Sequence, residues 1–210
     1  MQLVALVLLA VAALCVRLWQ VWPRLGRRRP KRGASEAVRT MIVLGSGGHT
    51  SELMPVVQAL STDRYAPRVY VAADERSVAR AQAFEASRAN WSTVTIPRAR
   101  HVGQSYITSV FSTLHASLFS LWQVLRHRPQ LVLCNGPGIC VPIAAATLVL
   151  RIVGGREASC IVFVESGCRV ERLSLSGRIL YHLRLCDSFL VQWEALRAKY
   201  PRAECLGRTL

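Results

Sequence analysis

Along residues 40–210, short runs of β-branched and aliphatic residues alternate with longer stretches whose apolar positions recur every three or four residues. The first pattern predicts strands and the second amphipathic helices. Thr40–Leu44 reads as a strand, followed by the hexapeptide GSGGHT and a helical pattern over residues 51–60. Residues 68–73 (RVYVAA) form a second strand ending at Asp74, with a polar-faced helix over 76–88. A third strand at 93–96 leads to a long amphipathic helix over 106–125. A fourth at 131–134 (LVLC) leads through NGPG to a nearly all-apolar helix over 139–153. Cys160–Val164 is a fifth strand and 189–191 a sixth, with helices over 174–185 and 194–200. The strands are continuously apolar, as when helices cover both faces of a parallel sheet. The expected fold is a single α/β, Rossmann-like, doubly wound parallel sheet over 40–210.

The apolar pattern before residue 40 is of another kind. Residues 3–22 (LVALVLLAVAALCVRLWQVW) are 20 apolar-dominated residues, enough for a helix to cross about 30 Å of hydrocarbon. Arg17 lies near the end, where it can snorkel. Trp19 and Trp22 fall where an interfacial aromatic belt would be. A cleaved signal peptide is the competing reading, with Ala10, Ala12 and Ala13 as small residues near a cleavage site. No Lys or Arg precedes the run, however. The expected organisation is a transmembrane anchor at 1–23, a basic linker at 24–39 and the folded domain at 40–210. The helices at 106–125 and 139–153 are apolar enough to raise bilayer docking, but a core position explains them as well.

Charge sharpens this division. The net charge is +15. Residues 24–39 alone carry Arg24, Arg27, Arg28, Arg29, Lys31, Arg32 and Arg39 against Glu36. A basic block just beyond an apolar span suits anionic headgroups on the cytosolic side and orients the anchor N-terminus out. No nucleic-acid motif or interleaved aromatic pattern accompanies the charge, so no nucleic-acid partner is expected. The seven cysteines lie mostly in apolar runs, without CxxC or zinc spacing. They read as buried free thiols in a reducing compartment.

In doubly wound sheets ligands sit outside the carboxyl ends of the strands, which selects four segments. Gly45, Ser46, Gly47, Gly48, His49 and Thr50 link a strand to a helix. Glycines let the backbone approach a phosphate closely, and the helix start offers N–H groups to an anion. Thr50 or Ser51 is placed to cap that helix. His49 can contact a phosphate, accept a proton from an attacking hydroxyl, or simply brace the loop. Asn135, Gly136, Pro137 and Gly138 make either a second anion-facing turn or a structural one. Glu165, ahead of Ser166, Gly167, Cys168 and Arg169, can hold a sugar hydroxyl, orient a base, or pair with Arg169. Arg98 and Arg100 can clamp a diphosphate or lie in a solvated loop.

Several chemistries are missing their signatures. There is no P-loop, nucleophile elbow, zinc-protease or kinase set. No Asp-x-Asp is present to hold a nucleotide sugar through a metal. Neither a metal nor a cofactor is expected. Gly45-x-Gly47 begins a dinucleotide fingerprint and Asp74 stands where a ribose partner would. Thr50, however, replaces the third glycine, and the pattern leaves His49 and the anchor unexplained. A membrane-anchored NAD-dependent oxidoreductase is therefore one alternative, and a pure scaffold without substrate contact another.

The strand ending in GSGGHT, together with LVLCNGPGICVP, VFVESGCRVERLSLSG and VQWEALRAKYP, resembles the asparagine-linked glycosylation fourteen family. These are the membrane subunits of the dolichol-pathway UDP-N-acetylglucosamine transferase, and the likeness runs from about Met41 to the C-terminus. The resemblance implies the N-terminal, acceptor-side half of a GT-B glycosyltransferase split over two chains. It implies recruitment of a soluble UDP-sugar-binding catalytic subunit, the asparagine-linked glycosylation thirteen homologue, to the cytosolic face of the endoplasmic reticulum membrane. The pair would add the second N-acetylglucosamine to N-acetylglucosaminyl-diphosphodolichol with inversion, and the chain would be inactive alone. On this reading the catalytic candidates are His49 as base and Glu165 as the alternative. Gly45, Ser46, Gly47, Gly48, Thr50, Asn135, Gly136, Gly138, Arg98, Arg100 and Arg169 would face the acceptor diphosphate. Residues 206–210 would form a partner-docking end.

Overall fold

The computed structural model describes residues 2–22, 36–99, 103–136, 138–153 and 159–207. Most of the basic linker, together with Arg100, Pro137 and residues 208–210, lies outside them.

Among the described residues, seven strands form one parallel sheet in the order β3-β2-β1-β4-β5-β6-β7. They are β1 (Thr40–Leu44), β2 (Arg68–Ala72), β3 (Trp91–Thr95), β4 (Leu131–Asn135), β5 (Cys160–Val164), β6 (Ser188–Val191) and β7 (Glu204–Cys205). The predicted doubly wound sheet is present. Alternation along β1 splits the core between the two faces. Ile42 and Leu44 join Leu53, Val57, Tyr70 and Ala81 beneath α2 (Gly48–Gln58) and α3 (Glu75–Glu85). Met41 and Val43 join Ile143, Leu180 and Leu196 beneath α5 (Cys140–Val153), α6 (Leu175–His182) and α7 (Glu194–Lys199). Burial pushes the thiols of Cys140 and Cys186 well up. These cysteines stay protonated packing groups and not nucleophiles.

The largest corrections to the sequence reading are four. β7 is a seventh strand that the pattern did not predict. α2 begins at Gly48, three residues earlier than expected. Gly47 is its N-cap at φ 63°, ψ −120°, a region open to glycine, and no side chain caps the helix. Thr50 and Ser51 therefore lie inside the helix. α3 ends at Glu85, short of the expected residue 88. α6 ends at His182 because Arg184 turns to φ 52° and the Leu185 N–H bonds back to the Leu180 carbonyl.

The long helix α4 (Tyr106–His127) is capped by Ser105, whose hydroxyl accepts from the Thr108 N–H, and ends at left-handed Arg128. It packs along α5. The N-terminal helix α1 (Gln2–Val21) is long and apolar enough to cross a membrane. Its last turn closes the end of α5. Arg17 donates to the Arg151 carbonyl at 2.8 Å and the Ile152 carbonyl at 3.3 Å, where a helix leaves its carbonyls unpartnered. Trp22 donates to the Leu183 carbonyl at 3.2 Å. Arg151 itself is buried in an ion pair with Asp187.

Candidate functional site

The chain reverses its winding between β1 and β4, which lie side by side with Val43 opposite Cys134. Loops that follow adjacent strands of this kind leave in opposite directions and open a crevice between them. Here those loops carry GSGGHT and NGPG. A cavity of about 480 Å3 opens there, with Gly45, Ser46, His49, Asp74, Arg98, Gly136, Gly138 and Arg169 among its walls.

His49 enters from the first turn of α2 and Asn135 from the end of β4. The His49 Nδ1 lies 3.0 Å from the Asn135 Oδ1, and the Asn135 Nδ2 donates to the Glu52 Oε2 at 3.2 Å. The Glu52 Oε1 accepts from the Ser166 hydroxyl at 2.9 Å and the Gly167 N–H at 3.2 Å. This buried carboxylate therefore ties together the loops after β1, β4 and β5. It also fixes a tautomer. An ionised carboxylate only accepts, so the amide must present its NH2 group to Glu52 and its oxygen to the imidazole. When the ring is neutral, the Nδ1 therefore carries the proton and the Nε2 keeps its lone pair. Sequence reasoning left Glu52 as one helical residue among others. The available signal was its position three residues after His49, on the same face of a helix.

Gly136 serves the same histidine. It sits at φ 65°, and a Cβ there would lie 2.4 Å from both Cε1 and Nδ1 of His49. Gly136→Ala is expected to cost about 1–3 kcal/mol in backbone strain alone. It should also displace the imidazole and lower the melting temperature. Thermal unfolding and the His49 ring nitrogen chemical shifts, measured on one preparation, check this.

The other predicted residues divide clearly. Gly45, Ser46, His49, Arg98, Gly136, Gly138 and Arg169 border the cavity, whereas Gly47 and Gly48 form the exposed turn and helix start. The Thr50 hydroxyl points inward, donating to the Gly45 carbonyl and lying 3.0 Å from the Ser77 Oγ. Ser77 is bonded to Asp74, which caps α3. Thr50 thus holds the loop closed from behind, and Asn135 is a buried brace for His49. Arg98 and Arg169 form no ion pair among the described residues, which leaves two cations for an anionic ligand. Arg100 lies outside the described residues.

Glu165 is fully buried and is not among the residues bordering the cavity. Its carboxylate accepts from the Ser166 and Ser174 N–H groups and the Ser174 hydroxyl, each at 3.0 Å. The start of α6 rests on it, since a Cβ at Gly177 would come within 2.1 Å of its Oε2. Burial pushes its pKa up, against those hydrogen bonds and the nearby charge of Arg169. In this arrangement Glu165 organises the loop before α6.

Residues 40–209 match a family described as "Oligosaccharide biosynthesis protein Alg14 like". The chain is 47% identical to the Mus musculus UDP-N-acetylglucosamine transferase subunit ALG14, covering 97% of each chain. It is 46% identical to the Homo sapiens subunit, covering 82% of this chain and 83% of that one. With the Candida albicans subunit it shares 38% identity over 97% and 94%. Among solved structures it is similar to Acinetobacter baumannii MurG, with a TM-score of 0.50 and 15% identity over 73% of this chain and 40% of that one. A putative UDP-N-acetylglucosamine 2-epimerase from Listeria monocytogenes gives a TM-score of 0.51 and 13% identity over 79% and 42%. The chain thus spans about two-fifths of each solved relative, and at these identities the likeness is one of fold.

Proposed function

The chain belongs to the Alg14-like family of oligosaccharide-biosynthesis proteins, and on that premise we propose that it is the membrane-anchored, acceptor-side subunit of a two-chain UDP-N-acetylglucosamine transferase. Its partner is a soluble subunit that binds the UDP-sugar, and α1 holds the pair at the cytosolic face of the endoplasmic reticulum membrane. The acceptor is N-acetylglucosaminyl-diphosphodolichol, and the product carries a second, β-linked N-acetylglucosamine. Neither chain is expected to transfer sugar alone.

The observation that carries this reading is His49, its Nδ1 facing the Asn135 Oδ1, at the edge of a cavity that also holds Arg98, Arg169 and the uncapped start of α2. The acceptor diphosphate would lie against the GSGGHT turn, the start of α2 and the two arginines. The acceptor hydroxyl attacks the anomeric carbon of the donor from the side opposite UDP. The new glycosidic C–O bond forms as the bond to the UDP oxygen breaks, with inversion, and the hydroxyl proton passes to the His49 Nε2. Glu52, through Asn135, keeps that nitrogen free to receive it.

The test is co-expression with the soluble subunit, followed by transfer from UDP-N-acetylglucosamine to a diphosphate-lipid acceptor. Product is expected only when both chains are present. A pure scaffold would assemble and support full turnover after substitution of His49, Arg98 or Arg169. An oxidoreductase would bind nicotinamide dinucleotide as the isolated chain. Either result overturns the proposal.

A further inference from the structure

Helix α4 is built inside out for a helix in water. Toward α5 and the sheet it turns Ser109, Ala116, Ser120 and Val124, which are buried. Ser120 bonds back to its own helix at the Ala116 carbonyl. Away from the domain it presents Ile107, Val110, Phe111, Leu114, Leu118 and Trp122, with Ile107 80%, Phe111 75% and Trp122 62% exposed. These positions recur at three- and four-residue intervals and make one stripe along a helix about 33 Å long. A water-facing helix places its large apolar residues inward, and an apolar face of this extent marks an interaction surface.

We propose that this face of α4 lies in the interfacial layer of an anionic bilayer, parallel to its plane. Three observations select the bilayer as occupant. The first is charge. α4 itself carries no Asp or Glu, and Arg126 and Arg128 flank the far end of the stripe. An apolar stripe free of carboxylates and basic at one end suits anionic headgroups over acyl chains. The second is continuity. α1 meets the last turn of α5 through Arg17, α5 packs against α4, and Val149 and Val153 of α5 are exposed as well. A bilayer that holds α1 is therefore already beside this face. The third is the composition of the helix itself. Small residues on the packed side and large apolar ones outside are the arrangement of helices facing lipid.

The start of α4 adjoins the cavity. The Ser112 and Thr113 hydroxyls donate to the Ala99 carbonyl at 2.8 Å and 3.0 Å, and Arg98 and Ala99 border the cavity. An α4 seated in the headgroup layer sets the cavity mouth at the depth of a lipid-borne diphosphate. This last step rests on the proposed acceptor role of the cavity, whereas the docking of α4 does not.

The test uses the full chain in vesicles of phosphatidylcholine and phosphatidylserine, some carrying brominated acyl chains. Emission from Trp122 is the part lost in Trp122→Phe. Bromolipid is expected to quench most of it, with or without the soluble subunit. Trp122 emission that bromolipid leaves untouched overturns the proposal. So does shielding that appears only with the soluble subunit, or only as protein concentration rises. The double variant Leu114→Asp with Leu118→Asp then tests the acceptor link. It should keep turnover of a water-soluble short-chain diphosphate acceptor and lose about tenfold or more on the long-chain acceptor in vesicles. Equal turnover of both acceptors overturns the link. If the parent complex uses neither acceptor, the acceptor reading fails while the quenching result still decides the docking.

Discussion

Replacing His49 with alanine is expected to lower turnover of the reconstituted two-chain enzyme by about 10²–10⁴-fold, equivalent to about 3–5 kcal/mol of barrier. Assembly with the soluble subunit should be unchanged. The substitution removes the base and leaves the glycine turn, Arg98 and Arg169 in place, so acceptor affinity should fall less than turnover. Asn135 loses a hydrogen-bond partner but keeps Glu52. The alternative role for His49, bracing the loop, makes a different forecast. A brace acts through shape, and its loss would appear as weaker acceptor binding and a lower melting temperature. Imidazole added to the alanine variant separates the two roles. It should restore part of the turnover if a free lone pair is what the site lacks, and none if the loop has collapsed. Unchanged turnover with intact assembly would mean that His49 has no chemical role.

Glu52→Gln should reach the same result from a distance. The new amide can accept from Ser166 and Gly167 with its oxygen, but its NH2 group then faces the Asn135 NH2. Asn135 relieves that clash by rotating its amide through half a turn, which presents NH2 to the His49 Nδ1. The imidazole must then carry its proton on Nε2, where the reaction needs a lone pair. Turnover is expected to fall by about 10²–10⁴-fold with little change in KM. Every buried polar group keeps a partner, so the melting temperature should move little. The decisive control is the double variant Glu52→Gln with Asn135→Asp. The carboxylate has moved one link along the hydrogen-bond relay, to position 135, where it accepts from the new amide and from the His49 Nδ1–H. Turnover should return toward the parent value. If the double variant is no better than Glu52→Gln, the tautomer account is wrong and Glu52 matters only for loop packing. Nitrogen chemical shifts of the His49 ring report the same switch directly.

Much of this was legible in the sequence because it is written in continuous apolar runs. Residues 40–44 and 160–164 read as buried strands by their short, β-branched apolar runs, and the turns after β1 and β4 announce themselves by their glycines. The misses share a physical cause: tertiary contacts override local signals. α6 and α4 both end in left-handed arginines, Arg184 and Arg128, so no glycine marked either end. β7 is two residues long and joins the sheet only by lying beside β6. Within the site, residue types were legible but directions were not. Glu165 and Thr50 are at the predicted edge of the sheet, yet their oxygens turn to the Ser174 cap and to the Gly45 carbonyl. Conversely, Glu52 looked like an ordinary helical carboxylate. Its role depends on Asn135 and Ser166, which are 83 and 114 residues away in sequence.

If α1 spans a membrane as proposed, its contact with the domain decides how the domain sits on it. A domain joined to a spanning helix only by a linker would wander like a float on a slack line, its distance and tilt governed by linker length. Here the end of α1 is fastened to the ends of α5 and α6 by Arg17 and Trp22. Height and tilt are thus set by a joint, not by a tether. Under the proposed function, that joint would hold the cavity at one level above the bilayer.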